Sequence, residues 1–460
     1  MPHSMNAADI HLGYRQYGSN DRWNDYGRAF SWLIDEAISR KVCCLRISGD
    51  LFDSNTMTAR TLLQATANLQ RAKLAGITTI IIPGNHDRPG YSDPFSWLDY
   101  LVEQELLILL DPQFRDGDIV LQPWQREQLH GSYFDCPLCH TRTIGVRFYA
   151  AVTSPVVAAL VRALAAMATT DRPYTVLMLH AGIEGMLPHY QGGLTMAEVE
   201  PLRPYVDCLA LGHIHKPGVI DDWIYNPGSL ETCSIDESTW SDRGYFLLDI
   251  DPGPERTASV VQVPYSRRRS FLQFAWPMDT YPNPERLYAD LRGCMTDEAM
   301  NRDRSDRPVL ELRLQGVLKF PRAALDIAEI QRILTDLFQP IVCLVRDLTE
   351  PPDSQITLSE TTSRAELERQ VLQQLVRQDS TREAQADGWV ATVRELKDMA
   401  LRRAGPEGII EETQSHIDRI RFMEAEVGVA AIEASFAALT KAGAESIDKR
   451  IMGDDEEVQT

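Results

Sequence analysis

The sequence predicts an α/β layered protein with a small mixed domain and a helical segment behind it. Three observations point there. Over roughly the first 260 residues, short β-branched runs alternate with amphipathic helical stretches. From Ser270 the texture changes to a compact β-α-β-α-β unit of about 80 residues, the size of a small separate domain. Beyond a Pro- and Ser-rich stretch the chain reads as helix only.

"GRAFSWLIDEAISRK" sets Phe30, Leu33, Ile34, Ala37 and Ile38 on one helical face. "VCCLRIS" follows as a buried strand and ends at Gly49-Asp50. "ARTLLQATANLQRAKLAG" predicts a second helix, stopped by Gly76, and "ITTIIIP" the next strand. "TVLMLH" (175–180), "CLALGH" (208–213) and "GYFLLDI" (244–250) continue the strands. The second unit comprises "FLQFAW", a helix from near Pro284, the alternating strand "VLELRL" (309–314), a helix over 323–338 and "IVCLVRDL" (341–348). These readings divide the chain into 1–265, 266–350, a linker over 351–363, a helical segment over 364–450 and an acidic tail over 451–460. In the helical segment Leu367, Val371 and Leu375 share one face, Val393, Leu396 and Ala400 another, and Ile417, Ile420, Met423 and Val427 a third.

With 44% hydrophobic and 24% charged residues, the composition of the 460-residue chain is that of a soluble globular protein. No run approaches the roughly 20 apolar residues of a membrane span, and the start, "MPHSMNAADIHLG", lacks a signal-peptide layout. The expected location is the cytoplasm, with no membrane partner. The eight cysteines are too sparse for a disulfide framework and are expected as buried free thiols. A net charge of −20 argues against a broad basic grip on nucleic acid, although bound divalent cations would invert the local field. "YSRRRS", with Arg267, Arg268 and Arg269, is the densest basic run; it is a candidate DNA contact or a solvated turn.

Five strand ends carry polar residues suited to metals. "ADIHLG" supplies Asp9 and His11, "SGDLFD" Asp50, "PGNHD" Asn85 and His86, "MLHAG" His180, and "LGHIH" His213 and His215. Asp9/His11 and His213/His215 are i, i+2 pairs, which share a face wherever the chain is extended. In open α/β sheets, ligands bind outside the carboxyl ends of the strands. Each piece alone is weak: a lone histidine after a strand is usually satisfied by a backbone partner, and Gly-Asp is usually turn chemistry. Together, Asp9, His11, Asp50, Asn85, His180, His213 and His215 offer only N and O ligands, a mixture that suits Mn, Fe or Zn. They exceed the needs of one ion. Two ions sharing Asp50 would use them all, and a pair about 3.5–4 Å apart is suited to phosphate-ester hydrolysis. His86, next to a ligand, is aimed elsewhere and is the candidate general acid or phosphate contact. Asp53 and Asp87 are candidates for supporting this set, Asp87 by orienting His86 or by capping its loop.

These motifs resemble the calcineurin-like metallophosphoesterases, whose signature is D-x-H, G-D, G-N-H-D/E, H and G-H-x-H. Within them, "ADIHLG", "SGDLFD", "GHIHKP" and "YNPGSLE" (225–231) are most similar to the SbcD/Mre-eleven DNA double-strand-break repair nucleases. The resemblance covers 8–250 with specific motifs and 266–350 more loosely. It implies a layered β-sandwich flanked by helices and a small α+β capping domain that contacts DNA. It also implies Mn-dependent exonuclease and endonuclease activity and a homodimer paired through helices near 60–110. The implied partner is an SbcC-like SMC-type ATPase, docked on the helices of 364–450.

Two features depart from the pattern. The strand before Asp9, "HSMNA", is short and polar where the family has an apolar strand. "FDCPLCHTRT" brings Cys136, Cys139 and His140 together in a C-x-x-C-H arrangement, half of a zinc site without a second C-x-x-C. A nucleotide or small-molecule phosphodiesterase, and a catalytically silent scaffold for an ATPase, are the competing functions. The 266–350 unit separates the first of these from a nuclease, and a missing ligand would mark the second.

Overall fold

The computed structural model describes residues 3–90, 94–167, 172–187, 193–251, 257–302, 307–350, 364–377, 386–402, 408, 410–415 and 417–418. The expected linker, the acidic tail and the face carried by Ile420, Met423 and Val427 lie outside them. The chain divides into two compact units. The first comprises Met1–Trp276, Tyr288–Arg313 and Ile327–Arg346, and the second Pro277–Leu287, Leu314–Asp326 and Asp347–Thr460.

The strands in chain order begin with β1 (His3–Ala7), β2 (Cys44–Ile47), β3 (Thr78–Ile81) and β4 (Ile108–Leu109). A short hairpin follows, β5 (Gln113–Arg115) and β6 (Asp118–Val120). Next come β7 (Tyr133–Cys136), β8 (Thr141–Val146), β9 (Tyr174–His180), β10 (Cys208–Gly212), β11 (Gly218–Ile220) and β12 (Ile224–Asn226). The last are β13 (Gly244–Ile250), β14 (Ala258–Pro264), β15 (Phe271–Pro277), β16 (Val309–Val317) and β17 (Val342–Glu350). Two six-stranded sheets form, in the orders β14-β13-β1-β2-β3-β4 and β11-β12-β10-β9-β8-β7. β1 to β4 run parallel, as do β8, β9, β10 and β12; β13 is antiparallel to both β1 and β14, and β7 and β11 are antiparallel to their neighbours β8 and β12.

The period-two alternation of the strands builds the layers. Ile80 and Ile82, Val176 and Met178, and Cys208 and Ala210 face a shared core between the sheets. Leu45, Ile47 and Ile81 face the opposite way, toward the helices α1 (Asn20–Ser39), α2 (Ala59–Leu74) and α3 (Trp97–Glu103). Leu177, Leu179, Leu209 and Leu211 face α4 (Thr153–Met167) and the short α5 (Met196–Val199). Both faces of each sheet are therefore buried, which is why these parallel strands read as continuous apolar runs. The result is the expected sandwich flanked by helices. α1 starts seven residues before the apolar face that predicts it (Asn20 against Gly27), because Ser19 accepts a hydrogen bond from the Arg22 amide and caps it there.

β1 is a central strand despite its polarity. Met5 and Ala7 point into the helix-side core, while Ser4 and Asn6 point inward to the guanidinium of Arg46 on β2. The buried polar face of one strand satisfies the buried cation of its neighbour.

The later part carries a three-stranded sheet, β15-β16-β17, connected through α6 (Pro284–Met300) and α7 (Ile327–Phe338), in the expected β-α-β-α-β order. α8 (Arg364–Arg377) and α9 (Ala386–Leu401) are joined by Lys397 to Glu368 and by Gln373 to Asp387. No helix among the described residues is long and apolar enough to cross a membrane.

Candidate metal centre

The carboxyl ends of β1, β2, β3, β9 and β10 meet at one edge of the sandwich, and the loops leaving them bring the ligand candidates together. Asp9, His11, Asp50 and His213 all adopt left-handed backbone, with φ of 52°, 51°, 51° and 88°. Such conformations are rare outside glycine and cluster at functional sites, where the surrounding structure holds them. Here the loops hold each other: Asp9 N donates to Gly49 O, and the amides of Ile10 and His11 both donate to Asp50 O. Two glycines permit the approach. A Cβ at Gly84 would collide with Asp50 Oδ1, and one at Gly49 with the His180 ring.

Two groups form around Asp50. His180 Nε2 and His213 Nδ1 each lie 3.0 Å from Asn85 Oδ1, and His180 Nε2 is 3.3 Å from Asp50 Oδ2. On the other side His11 Nε2 lies 3.1 Å from His215 Nε2 and 4.0 Å from the same Asp50 Oδ2. Asp9, His11 and Asp50 bring ligand atoms within 4.8 Å of one another. The second Asp50 oxygen, Oδ1, accepts the His86 amide at 2.9 Å.

Hydrogen bonds at the far ring nitrogens fix the tautomers. His180 Nδ1 donates to Ser48 O at 2.7 Å, and His215 Nδ1 donates to Glu237 Oε1 at 2.9 Å. Each ring therefore turns Nε2 inward. At His180, Nε2 faces the oxygens of Asn85 and Asp50; burial pulls the ring down, but the charge and hydrogen bond of Asp50 raise it above its ordinary value. The donor set consequently fits cations: lone pairs converge at short range, and only protons or metal ions reconcile them. The protonation tendencies agree. Burial pulls His11 down, but the charge of Cys233, the hydrogen bond to Asp53 and the charge of Asp50 more than offset it, raising it to about 9. His213 is lowered to about 4 by burial and by His180 beside it. Metal binding at such a set displaces protons from the imidazoles.

The seven predicted ligands are thus brought together, with His86 beside them. The His86 ring stands edge-on to His11 at 5.0 Å between centroids, and its Nδ1 donates to Asp53 O at 2.5 Å, leaving Nε2 for the open side. Asp53 Oδ1 lies 3.5 Å from His11 Nδ1. Asp87 turns away from His86. Its carboxylate accepts the amides of Phe52 (3.0 Å), Gly84 (3.1 Å) and Leu51 (3.2 Å), so it clamps the Asp50 loop to the Asn85 loop rather than orienting His86. The arginine run, a candidate DNA contact or solvated turn, is split. Arg269 pairs with Asp25 and Arg268 donates to the carbonyls of Tyr265 and Trp240, while Arg267 is exposed.

Three residues are missed by motif reading. Glu237 holds His215 and is itself held by Arg243 and the Cys233 amide. Cys233 brings its sulfur within 4.8 Å of His11 and His215 ligand atoms. Phe148 packs on His213 and His180 at 5.1 and 5.8 Å. Glu237 and Cys233 lie in the segment after "YNPGSLE" and Phe148 follows β8, so no spacing rule connects them to the histidines.

A two-sheet sandwich with imidazole, carboxylate and amide groups converging from the strand ends of both sheets is the arrangement expected of a metal-dependent phosphoesterase domain. Residues 5–217 match the family model described as calcineurin-like phosphoesterase. Three similar proteins are archaeal and bear the name DNA double-strand break repair protein Mre11. The one from Aeropyrum pernix is 27% identical over 52% of this chain and 55% of its own length. The one from Saccharolobus solfataricus is 32% identical over 46% and 49%, and the one from Sulfolobus acidocaldarius 28% over 54% and 60%. The chain thus spans about half the length of the curated relatives it matches.

Proposed function

We propose that this protein is a two-metal-dependent DNA nuclease, hydrolysing phosphodiester bonds as exonuclease and endonuclease in double-strand-break repair. The observation that carries the reading is the position of Asp50 Oδ2, which faces His180 on one side and His11 on the other. One cation would take Asp50, Asn85, His180 and His213, and the other Asp9, His11, Asp50 and His215; the ligand mixture suits Mn, Fe or Zn, and the resemblance implies manganese. When bound, such a pair supplies Lewis-acid charge to phosphate oxygens and acidifies a water. His86, with Nδ1 donating to Asp53 O, turns Nε2 to the open side, from which its doubly protonated form would donate a proton to the leaving oxygen. Asp87 keeps the Asp50 and Asn85 loops in register. Glu237 holds the His215 tautomer.

DNA as substrate is favoured by the names of the relatives and by the 266–350 unit, which we read as a capping domain that contacts DNA, with Arg267 as its candidate phosphate contact. An SbcC-like SMC-type ATPase is the proposed partner of the helices from 364 to 450. Exposed Val371 and Leu375 on α8 and Val393 on α9 support this. A homodimer through the 60–110 region is favoured by exposed Leu63, Leu74 and Phe95. The test is hydrolysis of linear and hairpin DNA with Mn, Mg or EDTA, with and without a co-encoded ATPase. Metal-dependent cleavage of DNA supports the reading. Hydrolysis confined to mononucleotide phosphodiesters would establish the small-substrate alternative, and no hydrolysis with metals bound would establish the silent scaffold.

A further inference from the structure

At the opposite end of the sandwich from the metal centre, four cysteines meet. Cys43 and Cys44 stand at the start of β2, Cys136 ends β7, and Cys139 lies in the turn to β8. All four are buried, and their sulfurs lie within 4.8 Å of one another. Cys44 and Asp50 are six residues apart, which places the cluster roughly 20 Å from the metal centre at about 3.3 Å per residue. The C-x-x-C-H pattern alone points to Cys136, Cys139 and His140, but the fold uses another pair. His140 is exposed with φ 52°, and the second pair comes from a strand of the other sheet.

We propose that Cys43, Cys44, Cys136 and Cys139 form a structural tetrathiolate site for zinc. Size selects a single ion. With Zn–S of about 2.3 Å, a tetrahedron has sulfur–sulfur edges of about 3.8 Å, within the observed spacing. A multinuclear iron–sulfur cluster would hold its cysteines farther apart.

A second observation is independent of the sulfurs. Arg46 is fully buried, and its partners are neutral: Thr143 Oγ1 and Ser4 Oγ at 2.8 Å, Thr141 Oγ1 at 2.9 Å and Asn6 Oδ1 at 3.4 Å. Among the described residues no carboxylate pairs with it. A buried cation requires a counter-charge, and four thiolates around one zinc ion carry two negative charges. Thr141 links the two: its hydroxyl accepts from Arg46 and lies 3.1 Å from Cys139 Sγ, so its proton is available to a thiolate sulfur. Thiolate is the form that binds metal. The site would clip β2 of one sheet to β7 of the other.

The test uses the full chain, purified without added metal and dialysed against EDTA to strip the oxygen- and imidazole-ligated ions. Elemental analysis is expected to find about one zinc per chain. In Cys136→Ser/Cys139→Ser that zinc is lost, and in His140→Ala it is retained. Should the double variant not fold, cobalt exchanged into a Cys233→Ser chain gives an answer on its own, because the four-cysteine cluster is then the one thiolate group among the described residues able to produce sulfur-to-cobalt charge-transfer absorption. A wild-type chain with no zinc and a Cys233→Ser chain with no such absorption would overturn the proposal. So would a folded double variant with unchanged zinc, iron in place of zinc, or Cys43–Cys136-type disulfides found by mass spectrometry.

Discussion

The Glu237→Gln substitution isolates how His215 is made a ligand. The Glu237 carboxylate serves three groups: Oε1 accepts His215 Nδ1 at 2.9 Å, and Oε2 accepts Arg243 Nη2 at 2.7 Å and the Cys233 amide at 3.0 Å. Glutamine keeps the shape but has one oxygen and one NH2. Two donors converge on the Oε2 side, and Arg243 is fully buried, so the oxygen of the amide must stay there. The NH2 then faces His215 Nδ1. A donor at that place forces Nδ1 to accept, and the ring proton moves to Nε2, where it blocks the lone pair that faces His11. Restoring the ligating tautomer costs an unfavourable contact between two N–H groups. Groups that hold a ligating histidine in this way are typically worth about 10–100-fold in metal affinity, or about 1.4–2.8 kcal/mol. Calorimetric titration with manganese should show one of two binding events weakened by that factor, with the other unchanged. Nitrogen-15 spectra should show the His215 tautomer switched in the metal-free protein, and hydrolysis of a simple phosphodiester should recover at high manganese. An unchanged manganese affinity, with the fold intact, would refute the tautomer reasoning and make Glu237 a structural partner of Arg243 alone.

Asp50→Ala removes the oxygen that faces both histidine groups; metal content is expected to fall by more than one ion per chain with loss of hydrolysis, and normal occupancy would exclude a shared ligand. His86→Ala is expected to retain both metals and DNA binding while losing at least about 10²-fold in turnover, the scale of general acid catalysis; loss of metal instead would make His86 a ligand. Asp111 supplies a pH prediction. Burial raises its carboxyl to about 6 against the pull of Arg147, and Oδ1 has no hydrogen-bond partner among the described residues. A folded pKa above the unfolded value of about 3.9 means that its contribution is complete below pH 4 and is lost as pH rises through 6. Relative to Asp111→Asn, the wild-type protein should lose about 2 kcal/mol across that window, after allowance for a side chain one-quarter exposed. Denaturant titrations of both proteins from pH 4 to about 7.5 measure it, and parallel stability curves would refute it.

Much of the candidate site was legible because its proposed ligands sit at strand ends, where a polar residue after an apolar run stands out. Asp50, Asn85, His180, His213 and His215 carry that signature, whereas Asp9 and His11 follow the polar "HSMNA" and stand out by their i, i+2 spacing. The supporting groups do not. Asp87 has the right neighbours to orient His86, yet three backbone amides claim its carboxylate, and backbone donors carry no mark in a sequence. Glu237 and Cys233 lie in an irregular segment whose path is set by tertiary contacts such as Tyr17 to the Ile235 amide. The second pair of the cysteine cluster escaped for a related reason. Cys43-Cys44 reads as the start of a buried strand, and only the packing of the two sheets brings it to Cys136 and Cys139.

The polar strand before Asp9 shows how the same logic can mislead. Hydrophobic patterning measures what a strand's faces pack against, and "HSMNA" has one apolar face only, Met5 and Ala7. Its other face meets Arg46, so serine and asparagine are the residues that suit it. What places Asp9 is the backbone ladder. β1 pairs in parallel with β2 from Ser4–Cys44 to Ala7–Ile47 and antiparallel with β13 from His3–Asp249 to Asn6–Phe246. Past the last rung, Asp9 N still donates to Gly49 O, and the amides of Ile10 and His11 to Asp50 O. The two loops that supply Asp9, His11 and Asp50 are therefore one hydrogen-bonded continuation of neighbouring strands. A substitution that disturbed Arg46 would loosen the inner face of both strands at once, and through the ladder it would reach the ligands without touching any of them.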